Sequence, residues 1–503
     1  MYVLGLDVGT TGVKSAIFTY SGELVSLEYR EYQMNHPRPD YSEFDPDEIW
    51  ESSAHVLRQS ISQSKIDPSE ITALGVTGIG GALVPVNKKG KPLSPILAQY
   101  DRRERGIQER FRNHPADKRK QEITGFGLGG VELKIKWFKE NRPEIYGETS
   151  NFLGGPEYVM LKLSGEMAID YSMACCFGLL NPIERKWDEE LIEAVGLDQD
   201  KLPQLKPSGT VIGEIESDVS DVTGLRKDTP VAIGGYDVMC GSLGVGAISE
   251  GIVMDVTGTV EQVAVSVPKD FLKKMRPEHR IFFGCHVARG RYFATGGIPT
   301  AGSLLRWYRD NFGREEMKEA EEKGLNVYDI LTGEASTAGI GSGKLLVLPN
   351  FFGEGAMIGF DLSHGRKEVI RAILEGITFG MKKYIEESFE STGINVSELR
   401  AIGGGAKSDL WLQIKANVIN RKIIVPSVTE STSLGAAIMA GIGIGIYKDE
   451  DDAIENTFKK RKVFTPEPAA VERYELFYEI HKDLEDTLRP IFSRLGSLEA
   501  DEG

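Results

Sequence analysis

Residues 1–25 read MYVLGLDVGTTGVKSAIFTYSGELV, and the way Gly9-Thr10-Thr11-Gly12 joins two apolar runs decides the fold. Val3, Leu4, Leu6 and Val8 before the turn, and Val13, Ala16, Ile17 and Phe18 after it, have the composition of strands. Two glycines and two threonines between them suit an ordinary β-hairpin turn. The same tip suits a phosphate clasp. Glycines let backbone N–H groups approach a polyphosphate, threonine hydroxyls add donors, Lys14 supplies positive charge, and Asp7 is placed to hold a hydrated magnesium ion. The order G-x-x-G-V-K-S is not a Walker A loop, because no glycine directly precedes the lysine. Such a clasp comes from a hairpin, not from a helix N-terminus. Taken alone, the stretch leaves both readings open.

The chain has 503 residues, enough for two substantial cores. Its 41% apolar and 27% charged content is that of a globular protein. A net charge of −16 argues against unassisted binding to nucleic acid or an anionic membrane. Any ATP-binding site must therefore gather positive potential locally, from backbone amides, Lys14 and a metal. Cys175, Cys176, Cys240 and Cys285 have no CxxC or zinc spacing, and they read as reduced core thiols. With no basic n-region followed by an apolar segment, no export signal is expected. No apolar run reaches the ~18 residues of a membrane span. The expectation is a soluble, cytoplasmic, multidomain α/β protein with neither nucleic acid nor membrane as partner.

Strand-like and helical runs alternate along the chain, which favours a layered α/β fold. DPDEIWESSAHVLRQSISQS reads as a helix begun by Asp45 or Asp47. ITALGVTGIGGALVPVN reads as strand, glycine turn and strand, and VELKIKWFKENRPEIY as a helix ending near Arg142-Pro143. PVAIGGYDVMCGSLGVG is a strand, two glycines, Asp237 and a helix of small residues. Directly afterwards, MDVTGTVEQVAVSV repeats the pattern of LDVGTTGVKSAIF: apolar strand, Asp-Val, Gly/Thr turn, apolar strand. This echo near the middle of the chain suggests two related halves. The expected division is 1–247, with the first hairpin and Asp237, and 248–503, with the second hairpin.

Three glycine-rich turns compete for phosphate: 9–12, 257–259 and 403–408, the last leading into a helix whose N-terminus favours negative charge. GFGLGG at 125–130 matches G-x-G-x-x-G, but DKRKQEIT before it is too polar for the strand a dinucleotide fold requires. Asp237 sits at a strand-to-helix junction, where Asp serves as a helix N-cap or as a general base taking a proton from an attacking hydroxyl. ILAQYDRRE offers Asp101, Arg102 and Arg103 as a solvated turn or as a grip on vicinal hydroxyls. His286 and His364 read as structural.

The order D-V-G-T-T-G-V-K, G-G-Y-D, the second G-T hairpin, I-R-A-I-L-E-G-I-T-F-G, G-G-G-A-K-S-D-L-W and E-S-T-S-L-G-A-A resembles the FGGY carbohydrate kinases over about residues 1–445. That family includes xylulokinases, ribulokinases, gluconokinases and glycerol kinases. The resemblance implies an α/β, two-lobed, actin-like (ribonuclease H-like) ATPase fold with a cleft between duplicated domains, and ATP with Mg²⁺ as cofactors. By position it makes Asp7, Gly9, Thr10, Thr11 and Lys14 the first phosphate motif, with Asp7 as the metal residue, and Gly258 and Thr259 the second. Gly403, Gly404, Gly405, Ala406 and Lys407 match the adenosine motif, and Asn417 stands where the family closes its adenine pocket. Asp237 matches the catalytic base. Asp101 and Arg102, and more loosely Gly80 and Gly81, match the sugar-contacting loops, and Glu157 a sugar-side acid.

Three substrate segments depart from the family. Ala98-Gln99-Tyr100-Asp101 lacks the usual tryptophan. Thr77-Gly78-Ile79-Gly80-Gly81-Ala82 replaces the Gly-Gln-Met-His-Gly of xylulokinases, and Gly353-Glu354-Gly355-Ala356-Met357 replaces Gly-Glu-Arg-Thr-Pro. The expected activity is ATP-dependent phosphorylation of a small sugar or polyol, with a ketopentose such as xylulose or ribulose as first choice. The alternatives are a nucleotide-binding regulator or an actin- or chaperone-like ATPase without sugar kinase activity. Dimers are common in families of this look, so a homodimer joins the expectations.

Overall fold

A computed structural model describes residues 1–275, 281–351, 353 and 355–500; Glu354 lies outside them. The opening hairpin forms as its composition predicts, with strands Tyr2–Val8 and Gly12–Thr19 paired antiparallel and the Gly9 N–H donating to Gly12 O at 3.0 Å. It belongs to a six-stranded sheet in the order Val211–Glu214, Pro230–Tyr236, Ile71–Gly78, Tyr2–Val8, Gly12–Thr19, Leu24–Glu31. The three strands 230–236, 71–78 and 2–8 are parallel, so their carboxyl ends emerge at one edge of the sheet. Asp7, Thr77 and Gly235 lie side by side there. Ligands of open α/β sheets bind outside such strand ends.

The second sheet repeats the plan. Five of its strands run in the order Glu261–Val267, Ile252–Thr257, Glu398–Gly403, Lys422–Pro426, Lys460–Phe464. The first two form an antiparallel hairpin, and Ile252–Thr257, Glu398–Gly403 and Lys422–Pro426 are parallel. Thus the sequence echo marks a repeated hairpin next to parallel strands.

The chain divides into two compact units, one of residues 1–249, 266–294 and 430–459, the other of 250–265, 295–429 and 460–503. This differs from a single cut at 247/248, because the small-residue helix Ser431–Gly443 returns to the first unit. Glycine makes that return possible. A Cβ on Gly5 would lie 1.9 Å from Ser433 O, one on Gly75 2.0 Å from Ala436 O, and one on Gly435 1.9 Å from Cys240 O. The helix therefore lies backbone-close on the central strands and on the helix Asp237–Gly244, fixing the element that carries Asp237.

Each other element forms where its local signal lies. Asp45, not Asp47, caps the helix Pro46–Ser64, accepting from the Asp47 N–H at 2.9 Å. The segment before GFGLGG is the helix Pro115–Thr124, so no strand leads into that motif. All four cysteines are free. Among the described residues no helix is long and apolar enough to cross a membrane.

Candidate active site

In the first unit, Asp237 is the first residue of the helix Asp237–Gly244, directly after the central strand Pro230–Tyr236. Tyr236 occupies the N-cap position, so Asp237 is not the cap; its Oδ1 accepts from the Val238 N–H at 2.6 Å. Burial, helped by the negative charge of Asp7, pushes the Asp237 carboxyl up to about 8, against the opposing Val238 bond. Asp7 itself is raised to about 6 by burial, with Lys14 opposing and Glu430 reinforcing the shift. Two carboxylates at parallel-strand ends on either side of Ile71–Gly78 thus hold protons above the usual range, a pattern concentrated at functional sites.

The hairpin around Asp7 is held open from outside. Lys14, opposite Asp7 in register, pairs with Glu430 at 3.1 Å and is 40% exposed. Tyr32 donates to Gly9 O, Thr11 Oγ1 lies 3.3 Å from the Tyr29 hydroxyl, and the Gln99 amide donates to Thr10 Oγ1 at 3.0 Å. One oxygen of Asp7 is buried without a hydrogen-bond partner. An orphaned anionic oxygen beside the glycine turn fits a divalent cation. No cluster of three metal-ligating side chains exists among the described residues, so the cation it fits is one like Mg²⁺, bound through one or two carboxylates, water and phosphate.

Gly80 and Gly81 follow the strand Ile71–Gly78. A Cβ on Gly80 would come within 2.6 Å of the Cys176 sulfur and 2.9 Å of the Tyr236 ring, and Gly81 adopts φ +85° against Gln99. A side chain at Gly80 would collide with Cys176 and with Tyr236, the residue before Asp237. Glu157, in the first turn of the helix Gly155–Ser164, is buried and raised to about 8 by desolvation, with Asp170 adding to it. Its Oε2 has no hydrogen-bond partner.

Asp101 is placed otherwise than the resemblance implies. It is 0% exposed. Its Oδ1 accepts from the Arg103 N–H and Nε, and its Oδ2 from the Ser42 N–H and Arg103 Nη2, at 2.8–3.2 Å. With two bonds at each oxygen, the carboxylate anchors its own loop and is not presented to a ligand. Arg102 is exposed and donates to the Gln99 and Asp101 carbonyls.

In the second unit, Gly258 and Thr259 form the exposed tip of the second hairpin. They line a cavity of about 440 Å³ together with Gly404, Gly405, Lys407 and Trp411, a volume of the size ordinary ligand pockets have. Glycine is required at the turn: Gly403 has φ +85°, and a Cβ on Gly405 would lie 2.5 Å from the Thr257 side chain. Ser408 caps the following helix Asp409–Ile419, whose N-terminus adjoins the cavity and favours an anion. Gly403, the buried Ala406 and Asn417 do not line the cavity. Asn417 differs most from its implied role, because its Oδ1 accepts from Gln413 Nε2 at 3.1 Å and the Glu467 N–H at 2.8 Å and so ties its helix to the segment at Glu467.

Several contributors carried no sequence signal. Arg306, Tyr328 and Asp329 line the cavity from helices distant in sequence. Ser172 Oγ donates to Asp170 at 2.6 Å and accepts from the Tyr236 N–H at 2.9 Å, steadying the residue before Asp237. Asp170 and Lys134 likewise lie in unremarkable sequence, whereas Gln99 stood in the Ala98-Gln99-Tyr100-Asp101 segment and Glu430 in the motif E-S-T-S-L-G.

Comparison with known proteins agrees with this geometry. The N-terminal domain model of the FGGY family of carbohydrate kinases matches residues 2–244, and its C-terminal domain model matches residues 271–444. The chain is 28% identical to a gluconokinase of Bacillus subtilis over 99% of its length and 96% of the relative's. It is also 28% identical to a xylulose kinase of the same organism, over 96% of each chain. The crystal structure of xylulose kinase from Rhodospirillum rubrum superposes with a TM-score of 0.88 at 25% identity, covering 98% of this chain and 100% of that one. The two-domain actin-like α/β fold, the paired glycine hairpins and the matches along nearly the whole length lead to one conclusion: the chain belongs to the FGGY family of carbohydrate kinases.

Proposed function

We propose that this carbohydrate kinase transfers the γ-phosphoryl group of Mg-ATP to a hydroxyl of an uncharged ketopentose such as xylulose or ribulose, with Asp237 as general base. The observation that carries the reading is Asp237 itself, a carboxylate raised to about 8 at the end of a central parallel strand, beside Asp7. In the transfer the acceptor oxygen attacks phosphorus, the bond to the bridging oxygen of the leaving diphosphate breaks, and the acceptor proton passes to Asp237. Asp7 would hold a hydrated Mg²⁺, which would supply positive charge to the phosphates. The Gly9–Gly12 tip offers backbone amides to phosphate, and Lys14 adds charge. The cavity at Gly404, Gly405 and Trp411 takes the nucleoside.

An uncharged acceptor is favoured over a sugar acid by the company Asp237 keeps. Asp7 raises its pKa, and Cys176, packed against Gly80, feels the negative fields of Asp237, Asp170 and Glu157. A carboxylate substrate would add another negative charge to that field. ADP release measured with Mg-ATP and a panel of D-xylulose, D-ribulose, L-xylulose, D-gluconate, glycerol and erythritol tests the reading. A ketopentose is expected to give the highest kcat/KM; a preference for gluconate by tenfold or more overturns the substrate class.

A further inference from the structure

Lys134 has no place in the chemistry above, yet it touches both acceptor loops. It lies on the helix Val131–Asn141 and is 1% exposed. An ammonium has three donors and no acceptor, and here they meet backbone carbonyls: Ala98 O at 2.6 Å, Gly81 O at 3.1 Å and Gln99 O at 3.4 Å. Gly81 ends the glycine turn beside Asp237. Ala98 and Gln99 begin the loop where the family's tryptophan is missing. Gln99 carries the connection further, because its side-chain amide donates to Thr10 Oγ1 in the first phosphate hairpin. No other described side chain bonds to both loops.

We propose that Lys134 is a positioning residue for the acceptor, a buried cation that sets the spacing of the 79–82 and 97–100 loops and, through Gln99, their register on the Thr10 hairpin. This rests on the chain being a carbohydrate kinase, not on which sugar it takes. The site is costly to build, since burying an ammonium disfavours its charge. Burial lowers Lys134 to about 8, with Glu104, Asp101 and Glu132 supporting the charge and Arg102 opposing it. A neutral residue of the same length would fill the space without that cost. A lysine retained there is explained by what its three donors hold.

The test is steady-state kinetics on the full chain carrying Lys134→Met, which keeps the volume and removes the donors, and Lys134→Gln, which keeps two N–H donors. The acceptor is whichever of D-xylulose, D-ribulose, D-gluconate, glycerol and erythritol releases ADP fastest with the wild type. Lys134→Met is expected to raise the acceptor KM at least tenfold with the KM for ATP within twofold, and Lys134→Gln to recover part of the loss. Hydrogen exchange should quicken at 79–82 and 97–100 while the 403–408 turn keeps its protection. An acceptor KM within twofold of wild type in folded Lys134→Met overturns the proposal, and so does an equal rise in both KM values. Should Lys134→Met fail to fold, Lys134→Gln is read by the same two constants. A wild type that uses erythritol and no ketopentose overturns the substrate reading alone and leaves this test running on erythritol.

Discussion

The two hairpins have the same plan and opposite electrostatics. In the first, Asp7 stands opposite Lys14 on the paired strand, and Lys14 is 40% exposed and shared with Glu430; one oxygen of Asp7, like one of Asp255 in the second, is buried without a hydrogen-bond partner. In the second, Asp255 stands opposite Val263 and is fully buried. Its charge is met by Lys415 from the helix Asp409–Ile419, whose ammonium donates to Asp255 at 2.7 Å, to Thr257 at 2.6 Å and to Glu261. Burial, with Asp255 beside it, drives the Glu261 pKa well above the carboxylate range, so the cluster neutralises itself by holding a proton. The first hairpin keeps charge available to a ligand. The second spends its charge internally and offers the backbone of Gly258 and Thr259.

That contrast can be broken by substitution, and the largest effect is expected where the first hairpin meets the base. Asp237→Asn should lower kcat by about 10²–10⁴-fold, the contribution of a positioned general base, with substrate binding retained. Activity within tenfold of wild type would remove Asp237 from the mechanism. The same variant reports on stability. The folded-state pKa of about 8 lies above the ordinary 3.8, so the folded state holds a proton the unfolded chain has lost. Stability from this group is complete below pH ~4 and declines as pH rises towards 8. Asp237→Asn should therefore melt above wild type at pH 8, and the gap should narrow on acidification; thermal melts from pH 5 to 9 check the sign.

Next in size is the difference between the two lysines. Lys415→Met strips the cation from a buried cluster and should cost about 3–5 kcal/mol in chemical denaturation. Lys14→Met removes a partly exposed ion pair and should cost no more than ~1 kcal/mol, while raising the KM for ATP. Equal destabilisation by both would dissolve the distinction between a self-neutralised and an open hairpin. Asp7→Asn removes the like charge near the base together with the residue proposed to hold Mg²⁺, so its smaller readout is the pH profile and not the rate. The acidic limb of kcat/KM should move to lower pH, because Asp237 then loses its proton more easily; an unmoved limb would uncouple the two carboxylates. The smallest effect is at Asn417. Asn417→Ala should cost about 1–2 kcal/mol, as for a buried hydrogen bond lost, and leave the KM for ATP within twofold. A large rise in that KM would restore the adenine-pocket role implied by the family.

The reading of Asp101 and Asn417 shows where a motif stops being informative. Both occupy the positions the resemblance assigns, yet their oxygens are committed to Arg103 and Ser42 in one case and to Gln413 and Glu467 in the other. Position in a motif is a property of the chain, whereas the full set of partners is fixed by the fold: Arg103 and Gln413 are local, but Ser42 and Glu467 come from segments far along the chain. Lys134 makes the complementary point. In V-E-L-K-I-K-W it looks like any helix lysine, and only the approach of two loops turns it inward.

By itself the sequence determined the elements whose causes are local: the hairpins from apolar runs around Gly/Thr turns, the strand-to-helix junction at Asp237, a helix start at Asp45 or Asp47, and the small-residue segment 431–443. It also carried the echo of the two halves, because a repeated hairpin needs the same pattern of strand, Asp-Val and turn. Tertiary structure decided the charge states and the partners. Both carboxyls are raised by burial, reinforced by Glu430 at Asp7 and by Asp7 at Asp237, and neither shift exists until parallel strands place both at one edge. The return of 431–443 to the first unit, the Lys415 cluster and the Lys134 tether likewise depend on long-range packing. Local propensity acts over a few residues, whereas burial and Coulomb interaction act through space and ignore chain distance.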